Sequence, residues 1–129
     1  MIVRHLDDIA GTDRDVVGPT FVSRRLLLAD DDVGFSLHDT VLHAGTTTKI
    51  WYQNHVEAVY CISGEGTIDD LTNGETHIIT PGTMYTLDGH EQHLLHATSD
   101  LRVVCVFTPA LTGQELHDEH GTYPLIQTT

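Results

Sequence analysis

The spacing of turn residues is the feature that most constrains the fold of this chain. Glycine, proline, asparagine and aspartate interrupt it so often that no stretch longer than about ten residues repeats its apolar residues with a helical period. The segments between these breaks are apolar or alternate with a period of two, as β-strands do. The predicted strands are 23–28, 35–42, 56–62, 67–70, 77–80, 84–87, 94–97 and 101–107. Asn73-Gly74 predicts the turn of a hairpin, and residues 111–117 are predicted to form one short helical turn.

Many short strands without long helices predict an all-β sandwich or barrel. The length of 129 residues suits one compact domain spanning residues 1–129. The two ends, residues 1–20 and 108–129, are less regular, and we expect them to cover sheet edges or the mouth of the barrel.

The charge of the chain restricts its partners. Nineteen acidic residues stand against six basic ones, which gives a formal net charge of −13. Such a charge disfavours nucleic acid and anionic membrane surfaces as partners. It fits a protein adapted to concentrated salt, and equally a simple acidic bias. The sequence contains no apolar run long enough to cross a membrane and no apolar signal core at its N-terminus, which predicts a cytoplasmic protein.

The two cysteines each lie in an apolar, strand-like segment. Cys61 follows AVY and Cys105 follows VV. Buried free thiols in a reducing compartment are the favoured interpretation, ahead of a disulfide.

The most specific motif begins at Gly45 and continues through Trp51-Tyr52-Gln53 and Glu57 to Gly64; a second motif is Pro81-Gly82-Thr83-Met84-Tyr85. The pair resembles the two motifs of cupins, which are jelly-roll β-barrels or sandwiches. Trp51 and Gln53 stand where cupins usually have two metal-binding histidines, and Tyr85 stands where a third is expected. The resemblance therefore implies the cupin fold without its common three-histidine metal site.

Three other side chains are candidates for a metal site. On a regular strand, Trp51, Gln53, His55, Glu57, Val59 and Cys61 share one face. Tyr85 and His93 are expected to face each other across a hairpin that turns near Gly89. Glu57, Tyr85 and His93 would supply oxygen and nitrogen donors that suit Fe(II), with Mn or Zn as substitutes. From spacing alone, a buried glutamate held by a tyrosine and a histidine without any metal is equally compatible.

Three longer strings carry a closer resemblance. IWYQNHVEAVYCISGEG, PGTMYTLDGHEQH and VCVFTPALTGQELHDEHGTYPL are similar to the ectoine synthase family, and the match extends over nearly the whole chain. The resemblance implies a cytoplasmic homodimeric hydro-lyase that closes the ring of N-γ-acetyl-L-2,4-diaminobutyrate with loss of water. It also implies an iron-dependent site with Glu57, Tyr85 and His93 as ligands.

The same resemblance suggests which residues bind the substrate. Arg25 is the candidate partner of the substrate carboxylate, because a guanidinium matches carboxylate geometry, whereas Arg24 is expected to form a surface ion pair. Thr40 is a candidate hydrogen-bond partner, although it also fits an ordinary strand residue. Cys105 and Phe107 share a face of the last strand and are candidates for the pocket wall or the core. Phe21 stands where the family often has tryptophan, which keeps an apolar wall but loses an indole donor.

Four residues are candidates for proton transfer: Tyr52, His55, Glu115 and His117. His55 shares the face of Glu57 and is the best placed, or it orients Glu57 from behind. Tyr52 would point away from Glu57 on a regular strand, so its role requires a bulge or a loop. Glu115 and His117 lie in the irregular tail, where they either close over the mouth or remain on the surface.

Three alternative functions share the predicted fold. Another metal-dependent cupin enzyme, such as an iron oxygenase, would use the same pocket. A non-catalytic cupin that binds a small solute would keep the pocket without the proton-transfer groups. A structural barrel with a filled interior is disfavoured because His55 and Glu57 would then be buried at a high energetic cost.

Overall fold

The computed structural model describes residues 1–113, 117 and 121–123. Its elements are α1 Leu6–Ile9, β1 Asp15–Val17, β2 Phe21–Leu27, a 3-10 turn Ala29–Asp31, β3 Ser36–Leu42, β4 Thr47–Ile50, β5 Val56–Ser63, β6 Gly66–Asp70, β7 Thr76–Ile79, β8 Met84–Leu87, β9 His93–Ala97 and β10 Leu101–Thr108. All eight predicted strands are present within one or two residues at each end. The short strands β1 and β4 were missed because neither carries a clear period-two pattern.

The strands form two antiparallel sheets that face each other. One has six strands in the order β1-β2-β3-β10-β5-β8, and the other has four in the order β4-β9-β6-β7. The predicted hairpin at Asn73-Gly74 is confirmed, since β6 and β7 pair directly. The inner faces of both sheets supply a shared core that includes Val59, Leu95 and Val103.

Three further predictions are settled by the fold. Both cysteines are buried and free. Arg24 forms the predicted ion pair, in which it and Arg102 donate to the buried carboxylate of Asp39 on the outer face of the six-stranded sheet. Residues 111–113 are not helical, and most of the predicted helical turn lies outside the described residues.

Gly64 ends β5 for a steric reason. Its φ is +87°, and a Cβ atom there would collide with the carbonyl oxygen of Asp100. Only glycine meets both requirements, which explains why the first motif closes on this residue.

Candidate active site

The register of the six-stranded sheet brings six predicted site residues to one inner face. Arg25 pairs with His38, His38 with Cys105, Cys105 with Val59, and Val59 with Tyr85. Since paired residues in adjacent strands point the same way, these side chains form one row across five strands. Glu57 lies two residues before Val59 on the same face of β5 and pairs with Phe107. Thr40 lies two residues after His38 on the same face of β3.

A cavity opens between this face and the second sheet. It contains about 470 Å³ free of protein atoms, part of which is open to solvent. Eight of the predicted site residues line it: Phe21, Thr40, Tyr52, Glu57, Tyr85, Cys105, Phe107 and His117. Arg25, His55 and His93 are buried beside the cavity without lining it, and Glu115 lies outside the described residues.

The Glu57 carboxyl is the electrostatic centre of the cavity. Only 5% of the residue is exposed, and burial raises its pKa to about 8, although the Cys105 thiol partly opposes this by hydrogen bonding to the carboxyl. Burial also raises the pKa of the Cys105 thiol well above its usual value. Glu57 is therefore protonated near neutral pH unless a cation compensates its charge.

Tyr85 and His93 belong to different sheets. β8 pairs with β5 in the six-stranded sheet, whereas β9 pairs with β4 and β6 in the other. The prediction that Tyr85 and His93 face each other across a hairpin is therefore wrong. The segment between β8 and β9 crosses from one sheet to the other. In this arrangement Leu87 of β8 and Leu95 of β9 are both buried in the core.

The neutral tautomer of His93 leaves one ring nitrogen with a free lone pair. Its Nδ1 lies 3.0 Å from the carbonyl oxygen of Glu91 and donates to it, since a carbonyl can only accept. The Nε2 atom is buried and has no hydrogen-bond partner among the described residues. Burial lowers the pKa of this imidazole, which keeps the lone pair of Nε2 free.

These observations fit a metal ion. A carboxyl that needs a compensating cation and a histidine with an unused lone pair are both typical of ligands. Within the described residues, no three His, Cys, Asp and Glu side chains are arranged to hold a metal. The third predicted ligand is Tyr85, whose phenol pKa is raised well above its usual value by burial and would be lowered by a bound metal.

Tyr52 enters the cavity from a loop. β4 ends at Ile50 and β5 begins at Val56, so the regular strand on which Trp51 and Gln53 would share the face of Glu57 does not extend to them. The alternation holds from His55 onwards, and Tyr52 lies in the loop that its predicted role required. The loop turns the Tyr52 ring inward, where it stacks on Tyr123 at 5.1 Å. Its hydroxyl lies 2.9 Å from Nε2 of His117, and burial keeps it a neutral phenol by raising its pKa well above the usual value.

His55 and Arg25 lie behind the aromatic wall of the cavity. The His55 ring meets the rings of Phe107 and Tyr123 edge-on at 6.1 and 6.3 Å. Arg25 is fully buried, and its guanidinium lies 5.8 Å from the centre of the Tyr123 ring. Both residues are thus one side chain away from the cavity.

Comparison with known proteins identifies the family. The family model for ectoine synthase matches residues 1–127. L-ectoine synthase from Thermobifida fusca is 59% identical over 126 residues, which cover 98% of this chain and 94% of that protein. The crystal structure of ectoine synthase from P. lautus superposes with a TM-score of 0.89 at 60% identity, covering 100% of this chain and 93% of that one.

The chain belongs to the ectoine synthase family.

Membership in the ectoine synthase family confirms the predicted hydro-lyase that forms ectoine. The predicted cupin fold is also confirmed. The Cupin_2 domain of an XRE family transcriptional regulator from Enterobacter cloacae shares the fold with a TM-score of 0.58 at 19% identity, over 69% of this chain and 96% of that one.

Two residues of this ectoine synthase family cavity were missed from the sequence. His38 is buried on β3 and lines the cavity, its Nδ1 is 3.4 Å from the Ser23 hydroxyl, and its Nε2 has no hydrogen-bond partner among the described residues. Its position two residues before Thr40 was the available signal. Tyr123 lies in the tail that was expected to cover the mouth, but no local pattern singles out this tyrosine as part of the cavity wall.

Phe21 keeps an aromatic wall at the edge of the cavity. Its ring lies 5.8 Å from that of His117, at the mouth where the tail returns. The position therefore contributes an apolar surface and no hydrogen-bond donor.

Proposed function

We propose that this protein converts N-γ-acetyl-L-2,4-diaminobutyrate to ectoine with the assistance of a divalent metal. Membership in the ectoine synthase family is the observation that carries the proposal. In the reaction, the α-amine attacks the acetamide carbon, both amine protons are removed, and the carbonyl oxygen leaves as water. The product is a cyclic amidine.

The proposed metal ligands are Glu57, Tyr85 and His93, and the proposed metal is Fe(II), with Mn or Zn as substitutes. The raised pKa of Glu57 and the unused Nε2 of His93 support this assignment. When bound, the ion supplies a Lewis acid that polarises the acetamide carbonyl.

The proposed substrate contacts hold the molecule folded so that its two ends meet. Arg25 is the proposed partner of the carboxylate, which would reach it past the edge of Tyr123. Phe107 and Phe21 supply the apolar walls. Thr40 and Cys105 supply short polar groups, and the Thr40 hydroxyl is already directed at Ser23 over 3.4 Å.

The proposed proton carriers are Tyr52, His55, Glu115 and His117. The hydrogen bond between the Tyr52 hydroxyl and His117 supports a relay in which the neutral phenol donates toward the departing oxygen and His117 restores its proton. His55 can receive a proton from the substrate only if the Phe107 and Tyr123 rings move aside, because they separate it from the cavity. The relay through Tyr52 is therefore the better supported of the two.

The experiment is to incubate iron-loaded protein with the acetylated diaminobutyrate and search for a product lighter by one water. Glu57→Ala is expected to lose bound iron and activity together, since both depend on the same carboxylate. The matched control is Glu65→Ala, which removes an exposed carboxylate outside the cavity. Absence of the product from the iron-loaded parent, or full activity of Glu57→Ala, would contradict the proposal.

We also propose a cytoplasmic homodimer that protects cells in concentrated salt. The two free cysteines support a reducing compartment, and the formal net charge of −13 supports a saline one. Among the described residues, no helix is long and apolar enough to cross a bilayer. The exposed apolar side chains Tyr60, Ile62 and Met84 on the outer face of the six-stranded sheet support self-association.

A further inference from the structure

A second cleft opens on the side of the sandwich where the edge strands β7 and β8 do not pair with each other. It contains about 1210 Å³ free of protein atoms, part of it open to solvent. Tyr85 and His93 form part of its wall. Tyr85 also lines the substrate cavity, so this side chain separates the two spaces.

Two carboxylates give this cleft its charge. Asp70 and Glu91 both line it. Glu91 accepts a hydrogen bond from the Gly89 amide through Oε1 at 3.0 Å, whereas its Oε2 is buried without a hydrogen-bond partner among the described residues. An oxygen in this state has a strong preference for a cation.

His93 joins the two carboxylates to the proposed metal site. It is 1% exposed, and its Nε2 has no hydrogen-bond partner among the described residues. Asp70 is its register partner across β6 and β9, and Glu91 lies two residues before it and accepts a hydrogen bond from its Nδ1 through the backbone carbonyl at 3.0 Å. His93 lines this cleft and not the substrate cavity.

The two openings differ in the charge that they favour. No lysine or arginine is among the residues that line the second cleft, whose remaining titratable group at the rim is His77, 3.5 Å from Glu75. The substrate cavity instead has Arg25 behind its Tyr123 wall. The acidic second cleft therefore attracts a divalent cation and repels the carboxylate of the substrate.

We propose that the cleft between β7 and β8 is the entry route for the divalent metal, with Asp70 and Glu91 as its transient docking site. The ion passes from these carboxylates to His93 and Tyr85 without crossing the substrate mouth. The proposal rests on the metal site of the proposed function, and it adds a second opening with a separate task.

The test measures the rate of metal loading. Metal-free protein is mixed with Fe(II) without oxygen, excess chelator is added at timed intervals, and the iron retained by the protein is counted. We expect Glu91→Gln combined with Asp70→Asn to slow loading about tenfold at low salt, with a smaller effect at high salt because surface attraction is screened. The final iron content should equal that of the parent, since neither residue is a proposed ligand.

Glu65→Gln is the matched control, because it removes one exposed negative charge outside the cleft. As a second variant, Ile78→Trp narrows the cleft from an exposed position on β7 and is also expected to slow loading. The KM for the organic substrate should not change in either variant. Loading at the parental rate in both variants, or an equal delay in Glu65→Gln, would overturn the entry route. A parent that retains no iron would overturn the metal site itself, which separates the two failures.

Discussion

Burial changes what individual side chains of this protein do. Glu57 is an ordinary acid in sequence, yet inside the sandwich its pKa rises to about 8 because water no longer solvates its charge. His38 is affected in the opposite sense: burial, assisted by the nearby Arg25 charge, lowers its pKa well below the usual value. Burial thus favours the neutral form of the His38 imidazole in the cavity.

The His38 imidazole is expected to contact the substrate. His38→Leu keeps most of the buried volume but removes both ring nitrogens, and we expect kcat/KM to fall about tenfold, the value of one lost hydrogen bond. His43→Leu is the control, since His43 follows β3 and does not line the cavity. If the His38→Leu variant keeps the kcat/KM of the parent protein, His38 does not contact the substrate and serves only in packing. The measurement is steady-state kinetics on folded, iron-loaded protein.

Two irregular segments determine the mouth of the cavity. The loop between β4 and β5 is held by hydrogen bonds that it donates to residues far along the chain. The Trp51 amide donates to the Gly121 carbonyl at 3.0 Å, and the Asn54 side chain donates to the Tyr123 carbonyl at 2.9 Å. His90 also pairs with the Tyr52 carbonyl at 2.9 Å. Tyr52 and Tyr123 reach the cavity because these segments bind each other.

Gly121 is expected to be essential for this closure. Its φ is +74°, and a Cβ atom would collide with the Lys49 carbonyl oxygen. We expect Gly121→Ala to lower the free energy of unfolding by about 2–3 kcal/mol and to raise KM, because Tyr123 shifts. Gly74→Ala is a close control: its φ is +77° and no atom lies within 4 Å, so it should cost only about 1 kcal/mol. Equal losses in chemical denaturation would contradict the proposed collision.

The 3-10 turn fastens the N-terminal segment to the sheet. The Asp31 carboxylate accepts from Arg4 at 2.7 Å, from Arg14 at 3.2 Å and from the Leu28 amide at 2.9 Å. The Arg4 hydrogen bond contributes most to holding the pKa of Asp31 at about 2. An unfolded aspartate has a pKa of about 3.9, so this contribution to stability is complete above pH ~4 and disappears as the pH falls through ~2.

Asp31→Asn is therefore expected to lower the free energy of unfolding by about 1 kcal/mol at pH 7, after allowance for solvent screening. The difference from the parent should shrink between pH ~4 and ~2. Asp30→Asn, on the exposed neighbour in the same turn, is expected to change little. Denaturation at several pH values measures both, and a pH-independent Asp31→Asn deficit would exclude the ionised carboxylate as its cause.

At the scale of the whole molecule, the two sheets enclose the chemistry and leave an apolar patch on part of one outer face. Tyr60 is 49% exposed and Met84 is 60% exposed, and they are paired neighbours on β5 and β8. A contiguous apolar patch on a sheet face is typical of an interface. The opposite sheet has Ile78 as an isolated exposed side chain on its edge strand.

We expect Tyr60→Glu to shift the protein from dimer toward monomer in light scattering coupled to gel filtration. A buried, uncompensated carboxylate costs several kcal/mol at an interface, whereas it costs little on a free surface. Ile78→Glu introduces the same charge at an apolar position that is even more exposed and should leave the mass unchanged. An unaltered mass for Tyr60→Glu would place the interface elsewhere.

The amino-acid sequence alone determined every described strand except β1 and β4, because period-two patterns and glycine turns are local properties. It also contained the two motifs and the longer strings that indicate the family. The resemblance to the family supplied the candidate site residues Thr40, Cys105 and Phe107, and alternation within single strands placed Cys105 and Phe107 on one face. Only the tertiary structure decided which sheet each strand joins, and it separated Tyr85 from His93. It also placed the loop at Tyr52 and the tail at Tyr123 over the cavity, because contacts between distant segments outweigh the local preference for a regular strand.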